Sequence, residues 1–159
     1  MKIKTENDFL KQDDFNKLKN KVLENNFFYS GCVAGVSAHD DGFYFTHELF
    51  NNFTIRSDLF DLMIPVLNKI KAKALFRAKI NLYPRTSKII EHGQHIDTDF
   101  KCKAFILSLN TCNGYTKIGK DTKIPSIENQ GIFFEGNKLH NSTTCTDENI
   151  RLNINFNYF

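Results

Sequence analysis

Arg77-Ala78-Lys79-Ile80-Asn81-Leu82-Tyr83 alternates apolar and polar residues without a break, and its reading decides the fold class. Successive side chains of an extended chain point to opposite faces. This segment is therefore a strand with Ala78, Ile80 and Leu82 on one face and Arg77, Lys79, Asn81 and Tyr83 on the other. The pattern recurs: Phe105, Leu107 and Leu109 alternate with Ala104, Ile106, Ser108 and Asn110, and Leu152, Ile154 and Phe156 alternate with Arg151, Asn153, Asn155 and Asn157. The apolar faces call for a packed layer behind the sheet. The polar faces either meet solvent or, where the sheet rolls over on itself, line a pocket.

Outward from that strand the chain divides in two. From Ala74 to the end the period stays at two, and turn signals such as Asn113-Gly114 and Glu135-Gly136-Asn137 separate short strands. Upstream the period is helical. Phe9, Leu10, Phe15, Leu18, Val22 and Leu23 recur at three- to four-residue steps and predict an amphipathic helix over 6–24. A second helix is expected from Ser57, its cap, to Lys73, with Asp58 and Asp61 in the first turn and Leu59, Leu62, Met63, Val66, Leu67 and Ile70 as its stripe. Between them, Ser30 to Gly42 reads as irregular connection before a short strand at Phe43-Tyr44-Phe45. Helices followed by a run of strands predict a mainly β protein with N-terminal helices. A single domain over 1–159 is expected, with 1–73 as helical support and connecting segments and 74–159 as the β core carrying the site.

Composition narrows the classes. Sixteen Phe and five Tyr among 159 residues supply enough apolar surface for a core, which excludes disorder for most of the chain. A net charge of +3 with scattered basic residues gives no indication of nucleic acid. No run approaches the roughly 20 apolar residues of a membrane span, and Met1 to Asp8 lacks the apolar centre of a signal peptide. The expectation is a cytoplasmic protein with no membrane partner. Richness in Asn, Lys and Ile suits an AT-rich genome, hence a bacterial or virus-infected cell. Cys32, Cys102, Cys112 and Cys145 are far apart with no C-x-x-C pair, so they read as reduced thiols.

The histidines carry the chemistry. His95-Ile96-Asp97 puts an imidazole and a carboxylate on one face of an extended backbone, within reach of one ion. His140, after the aromatic run Gly131-Ile132-Phe133-Phe134, completes two histidines and one carboxylate. Such a set fills one face of an octahedron and leaves three positions open, the arrangement used by non-haem Fe(II) oxygenases; zinc more often has its positions filled. Arg151 follows His140 by eleven residues on the polar face of the last strand. Its guanidinium suits a bidentate pair with a carboxylate, such as the distal end of 2-oxoglutarate.

These residues resemble the Fe(II)- and 2-oxoglutarate-dependent dioxygenases, most closely the prolyl-4-hydroxylase-like branch and related phage proteins. The likeness is carried by Arg77 to Pro84, His95-Ile96-Asp97, Leu109 to Thr116, His140 and Arg151 to Phe156. It implies a double-stranded β-helix, or jelly roll, with His95, Asp97 and His140 as catalytic iron ligands and Arg151 as partner of the distal carboxylate of 2-oxoglutarate. Tyr83 matches a tyrosine that hydrogen-bonds the co-substrate. Thr116 matches the threonine of a Gly-Gly-x-Thr turn, written here Asn113-Gly114-Tyr115-Thr116. Asn81, Asn110 and Asn153 share the polar faces and are candidates for lining the pocket. The implied activity is hydroxylation of a C–H bond with Fe(II), 2-oxoglutarate and ascorbate as accessory reductant. The substrate is an unidentified peptide, amino acid or small molecule. The branch often has lysine where Arg151 stands, so its substrates do not transfer directly to this chain. Asp97 argues against the halogenating variants, which give up the carboxylate.

Two other readings stand beside this one: a cupin-type iron dioxygenase that does not use 2-oxoglutarate, and a non-catalytic jelly-roll binding module. His92 reads as a pocket-rim or exposed group, Asp99 as a solvated carboxylate, and His39 and His47 as ordinary surface or core residues. Arg77, Lys79 and Arg85 read either as contacts for an anionic substrate or as a solvated sheet edge. Tyr115, a turn aromatic, is a candidate substrate contact.

Overall fold

The alternation quoted above becomes β5 (Leu75–Pro84) in a computed structural model that describes residues 2–34 and 42–159. Around it the described residues form β1 (Lys4–Glu6), α1 (Gln12–Leu23), β2 (Phe28–Ser30), β3 (Tyr44–Asn51), β4 (Thr54–Ile55), a 3-10 helix (Asp58–Met63) and α2 (Ile64–Lys69). The remaining strands are β6 (Lys103–Ser108), β7 (Cys112–Ile118), β8 (Thr122–Ser126), β9 (Gly131–Glu135), β10 (His140–Ser142) and β11 (Ile150–Tyr158).

The strands make two antiparallel sheets. The larger has the order β1-β9-β6-β11-β5-β3-β2, with β4 paired to β3, and the smaller has the order β10-β7-β8. β11 lies between β5 and β6, with Leu152 opposite Leu82 and Phe156 opposite both Ala78 and Phe105. Both of its faces are covered, and Arg151 to Tyr158 are all buried.

The apolar face of the large sheet packs under the helices. Ala78, Ile80, Phe105, Leu107, Leu152, Ile154 and Phe156 share one core with Phe15, Leu18 and Val22 of α1 and with Leu59, Met63 and Val66. Phe105 is its aromatic hub, with ring centroids 4.6 Å from Phe9, 4.8 Å from Phe133 and 5.9 Å from Phe156. Gly131 permits this packing, because a Cβ there would lie 2.5 Å from Phe105 Cε2. The second face of β6 is apolar rather than polar: Ala104 and Ile106 pack with Ile118, Ile124, Ile132 and Phe134 between the two sheets.

Several elements differ from the sequence expectation. Residues 4–6 pair with β9, so Glu6 does not open the first helix, and Phe9 and Leu10 enter the core from the non-helical segment between β1 and α1. Asn129 fixes them there: its carbonyl accepts from Phe9 N at 2.8 Å, and its side-chain amide exchanges two 2.9 Å bonds with the Leu10 backbone. The second helix splits, because Pro65 has no N–H to continue the ladder and instead sits in the first turn of α2. Ser57 does cap the 3-10 helix, accepting from Leu59 N at 3.1 Å. The strand at 43–45 is the start of the eight-residue β3. The first 73 residues thus supply four strands to the large sheet as well as its helical backing. Most of the irregular connection from Ser30 to Gly42, including His39, lies outside the described residues.

Candidate active site

Arg77, Lys79, Asn81 and Tyr83 of β5 and Asn153 and Asn155 of β11 face a cavity of about 300 Å³. Thr116 of β7 and His140 and Ser142 of β10 close it from the small sheet, and His95 and Asp97 enter from the segment between β5 and β6. The polar faces line a pocket. No helix among the described residues is long and apolar enough to cross a membrane.

His95 and His140 face each other through a two-residue bridge in which each backbone N–H donates to the other's carbonyl at 2.9 Å. Their rings are 4.5 Å apart, and His140 Nε2 is 3.8 Å from Asp97 Oδ2. One ligand atom from each of the three residues lies within 4.8 Å of the others. Both imidazoles have Nδ1 against a carbonyl: His140 on Lys138 O at 2.9 Å and His95 on Gly93 O at 3.3 Å. A nitrogen facing a carbonyl carries the proton, so each Nε2 presents a lone pair. Burial and the neighbouring His140 hold His95 below its ordinary pKa, in the neutral form a metal needs.

Asp97 has a side chain only 1% exposed. Its Oδ1 accepts from Arg77 Nη2 at 2.6 Å and from Asn155 Nδ2 at 3.2 Å; its Oδ2 accepts from Asn157 Nδ2 at 2.8 Å. Burial pushes the carboxyl upward, but His140, Arg77 and the two amides outweigh it and leave the group below its ordinary pKa. Two imidazoles and one oriented carboxylate fit a first-row divalent metal that takes further ligands from elsewhere.

Arg151 is fully buried at the other end. Nη1 donates to Thr143 O at 3.2 Å and Nη2 to Thr116 Oγ1 at 2.8 Å, while Nε has no partner. Among the described residues no carboxylate lies within ion-pair distance of it, and burial pulls its pKa down. A buried cation without an acid is costly and calls for an anion. Its guanidinium carbon is 5.6 Å from the Tyr83 ring centroid. Tyr83 stacks between Tyr44 and His92, and burial pushes its phenol up to about 12, so it remains an O–H donor. Gly114 makes room for Arg151: a Cβ there would lie 2.7 Å from Arg151 Cδ and from Thr144 O.

Of the residues singled out from sequence, the structure brings together His95, Asp97, His140, Tyr83, Thr116, Asn81, Asn153 and Arg151. Asn81 Nδ2 donates to Asn153 Oδ1 at 3.0 Å. Asn110 is elsewhere. Its amide donates to Ile150 O and accepts from Leu152 N, both at 2.8 Å, so it clips the start of β11 and does not line the cavity. His92 is buried rather than exposed, with Nδ1 2.9 Å from Ser142 Oγ. His47 is a satisfied core histidine, held by Asn26 O and Ser57 Oγ. Arg77 is a partner of Asp97 rather than a solvated edge. Tyr115 donates to Glu91 in an exposed cluster. Asn155, Asn157 and Ser142 were not assigned roles from sequence. Their i, i+2 spacing from Asn153 and from His140 was the available signal.

Cys112, Cys145 and Asp147 also converge, but Asp147 accepts from Asn113 N through both oxygens and Cys145 donates to Glu148 O. Burial and the adjacent Cys112 push the Cys145 thiol up to about 11, so Cys145 keeps its proton.

No family model and no curated protein sequence matches the chain. Solved structures do. A prolyl hydroxylase from Trichoplax adhaerens, in complex with a hypoxia-inducible-factor oxygen degradation domain peptide, superposes with a TM-score of 0.73 at 16% identity, covering 99% of this chain and 83% of that one. A Pseudomonas putida prolyl-4-hydroxylase gives 0.66 at 13% identity, covering 98% and 91%. The non-haem α-ketoglutarate-dependent epimerase of nogalamycin biosynthesis gives 0.71 at 10% identity, covering 99% and 77%. The chain has the double-stranded β-helix fold shared by these 2-oxoglutarate enzymes.

Proposed function

We propose that this chain is a non-haem Fe(II)- and 2-oxoglutarate-dependent oxygenase that hydroxylates a C–H bond. One observation carries the reading: a buried arginine with no carboxylate in ion-pair distance among the described residues donates to Thr116 and lies against Tyr83, two residues of the wall of the cavity that holds a two-histidine, one-carboxylate cluster. Bound Fe(II) and 2-oxoglutarate supply the oxygen chemistry. The chain's residues supply position. His95, Asp97 and His140 hold the metal through Nε2, a carboxylate oxygen and Nε2. Arg151 and Thr116 receive the distal carboxylate of the co-substrate, and the Tyr83 hydroxyl donates to it.

The same fold carries an epimerase as well as prolyl hydroxylases, so hydroxylation is the specific part of the proposal. The peptide held by the Trichoplax protein supports a peptidyl side chain among the substrate classes, beside free amino acids and small molecules. Cytoplasmic action, with ascorbate as accessory reductant, completes the reading. A cupin-type enzyme has no use for the unpaired Arg151. The test is 2-oxoglutarate-dependent release of succinate with Fe(II) and oxygen. Succinate formation that is lost in Asp97→Ala is expected; oxygen consumption independent of 2-oxoglutarate would overturn it.

A further inference from the structure

Among the described residues, the cavity wall carries one more cation than the proposed metal and co-substrate would use. The Lys, Arg, Asp and Glu side chains lining it, among the described residues, are Arg77, Lys79 and Asp97; Arg151 lies behind the wall, where its Nη2 donates to Thr116 Oγ1 at 2.8 Å. Arg77 is paired with Asp97. On the oxygenase reading, Asp97 also serves the metal, and the two carboxylates of 2-oxoglutarate are met by the metal and by Arg151. Lys79 is left over.

Lys79 is half-buried and held in place. Its Nζ donates to the Tyr44 hydroxyl at 2.8 Å and lies 5.2 Å from the Tyr44 ring centroid, and Tyr44 stacks on Tyr83 at 5.5 Å. This contact uses one of three N–H donors. Across the strand pair Lys79 lies opposite Glu48 of β3. Glu48 is exposed, accepts instead from Asn51 at 3.1 Å, and is not within ion-pair distance of Lys79. On the other side Lys79 lies opposite Asn155 of β11, whose amide holds Asp97. The ammonium therefore stands beside the metal cluster, on the cavity face, with donors to spare.

We propose that Lys79 anchors an anionic group, a carboxylate or a phosphate, on the primary substrate. The geometry follows from the strand: a charge contact from β5 fixes one end of the substrate while the bond to be oxidised lies toward His95, Asp97 and His140. A lysine ammonium is a point charge that accepts either anion, so the choice between them falls to other contacts. Neutral analogues of the substrate lose this contact.

The inference rests on the oxygenase reading, and its test separates the two. The full chain is loaded anaerobically with Fe(II) and saturating 2-oxoglutarate, and the metal-to-ligand charge-transfer band is recorded. Sodium acetate and sodium sulfate, the latter standing in for phosphate, are then titrated against sodium chloride at matched ionic strength. A saturable perturbation of the band by either anion is expected, weakened about tenfold or more in Lys79→Met and retained in Lys79→Arg. A response to acetate alone assigns a carboxylate, and a response to sulfate alone assigns a phosphate. No response, or an equal response in Lys79→Met, overturns the anchor while the band itself keeps the oxygenase reading intact. Absence of the band overturns both.

Discussion

Arg151 is the residue on which the site's logic turns. A buried guanidinium with an unpartnered Nε and, among the described residues, no carboxylate within ion-pair distance is costly until an anion meets it. Removing one partner of such a buried charged contact costs about 2–5 kcal/mol. Arg151→Ala should therefore weaken 2-oxoglutarate binding by about thirtyfold or more, while metal affinity stays near that of the unaltered protein; titration calorimetry with each ligand reads both, and unchanged co-substrate affinity would contradict the role. At the opposite end, Asn157 Nδ2 orients Asp97 Oδ2 from 2.8 Å. Partners of metal ligands commonly contribute about 10- to 100-fold in affinity. Asn157→Leu should lose metal affinity in that range in competition with a chromophoric chelator, and an unaltered affinity would show that Arg77 and Asn155 suffice. The sequence made the candidate ligands legible because H-x-D and a later histidine are local signals. It hid Asn157 and Arg77, because a polar side chain on a strand reads the same whether it meets water or a carboxylate 60 or 20 residues away.

Elements decide how those residues meet. Gly114 in β7 and Gly131 in β9 both permit a close approach, yet to different ends. Gly131→Ala drives a methyl into the Phe105 ring and should lower stability by about 1–3 kcal/mol without touching the cavity. Gly114→Ala drives one into Arg151 and should lower stability and co-substrate affinity together; thermal melts with and without 2-oxoglutarate separate the two cases. The segment that presents His95 and Asp97 is held to the small sheet by Glu91, which accepts from Tyr115, from Lys117 at 3.1 Å and from Lys123 at 3.0 Å. The Tyr115 hydroxyl and the two lysines pull the Glu91 carboxyl down to about 2 from 4.5. A depressed carboxylate contributes stability that is whole above pH 4.5 and is lost as pH falls toward 2. Glu91→Gln should flatten the stability profile across that window, as followed by circular dichroism; an unchanged slope would remove Glu91 from this role. The helices show where periodicity reaches its limit. The apolar stripe at 57–73 is helical in pattern, but Pro65 divides it, and Phe9 belongs to the core from a non-helical segment tied down by Asn129, 120 residues away in sequence.

At the scale of the molecule, two sheets enclose one polar cavity, and the chain's asymmetry explains how. β11 is apolar toward the helices and carries Arg151, Asn153, Asn155 and Asn157 toward the small sheet, and both faces are buried. The strand alternation was legible from Ala74 onward. The closure that turned its polar face into a pocket was not, since it depends on β7, β8 and β10 folding across, a long-range event with no local code. For the same reason the strands that extend the large sheet from the N-terminal half were missed, apart from the start of β3. Fold and donor set together make one claim: metal at one end, a dicarboxylate co-substrate reaching to the other. Anaerobic addition of Fe(II) and then 2-oxoglutarate to the apo-protein tests it most directly. The oxygenase reading predicts a weak visible metal-to-ligand charge-transfer band that is absent in Asp97→Ala and needs much more 2-oxoglutarate in Arg151→Ala. Iron binding with no band at saturating 2-oxoglutarate would contradict it.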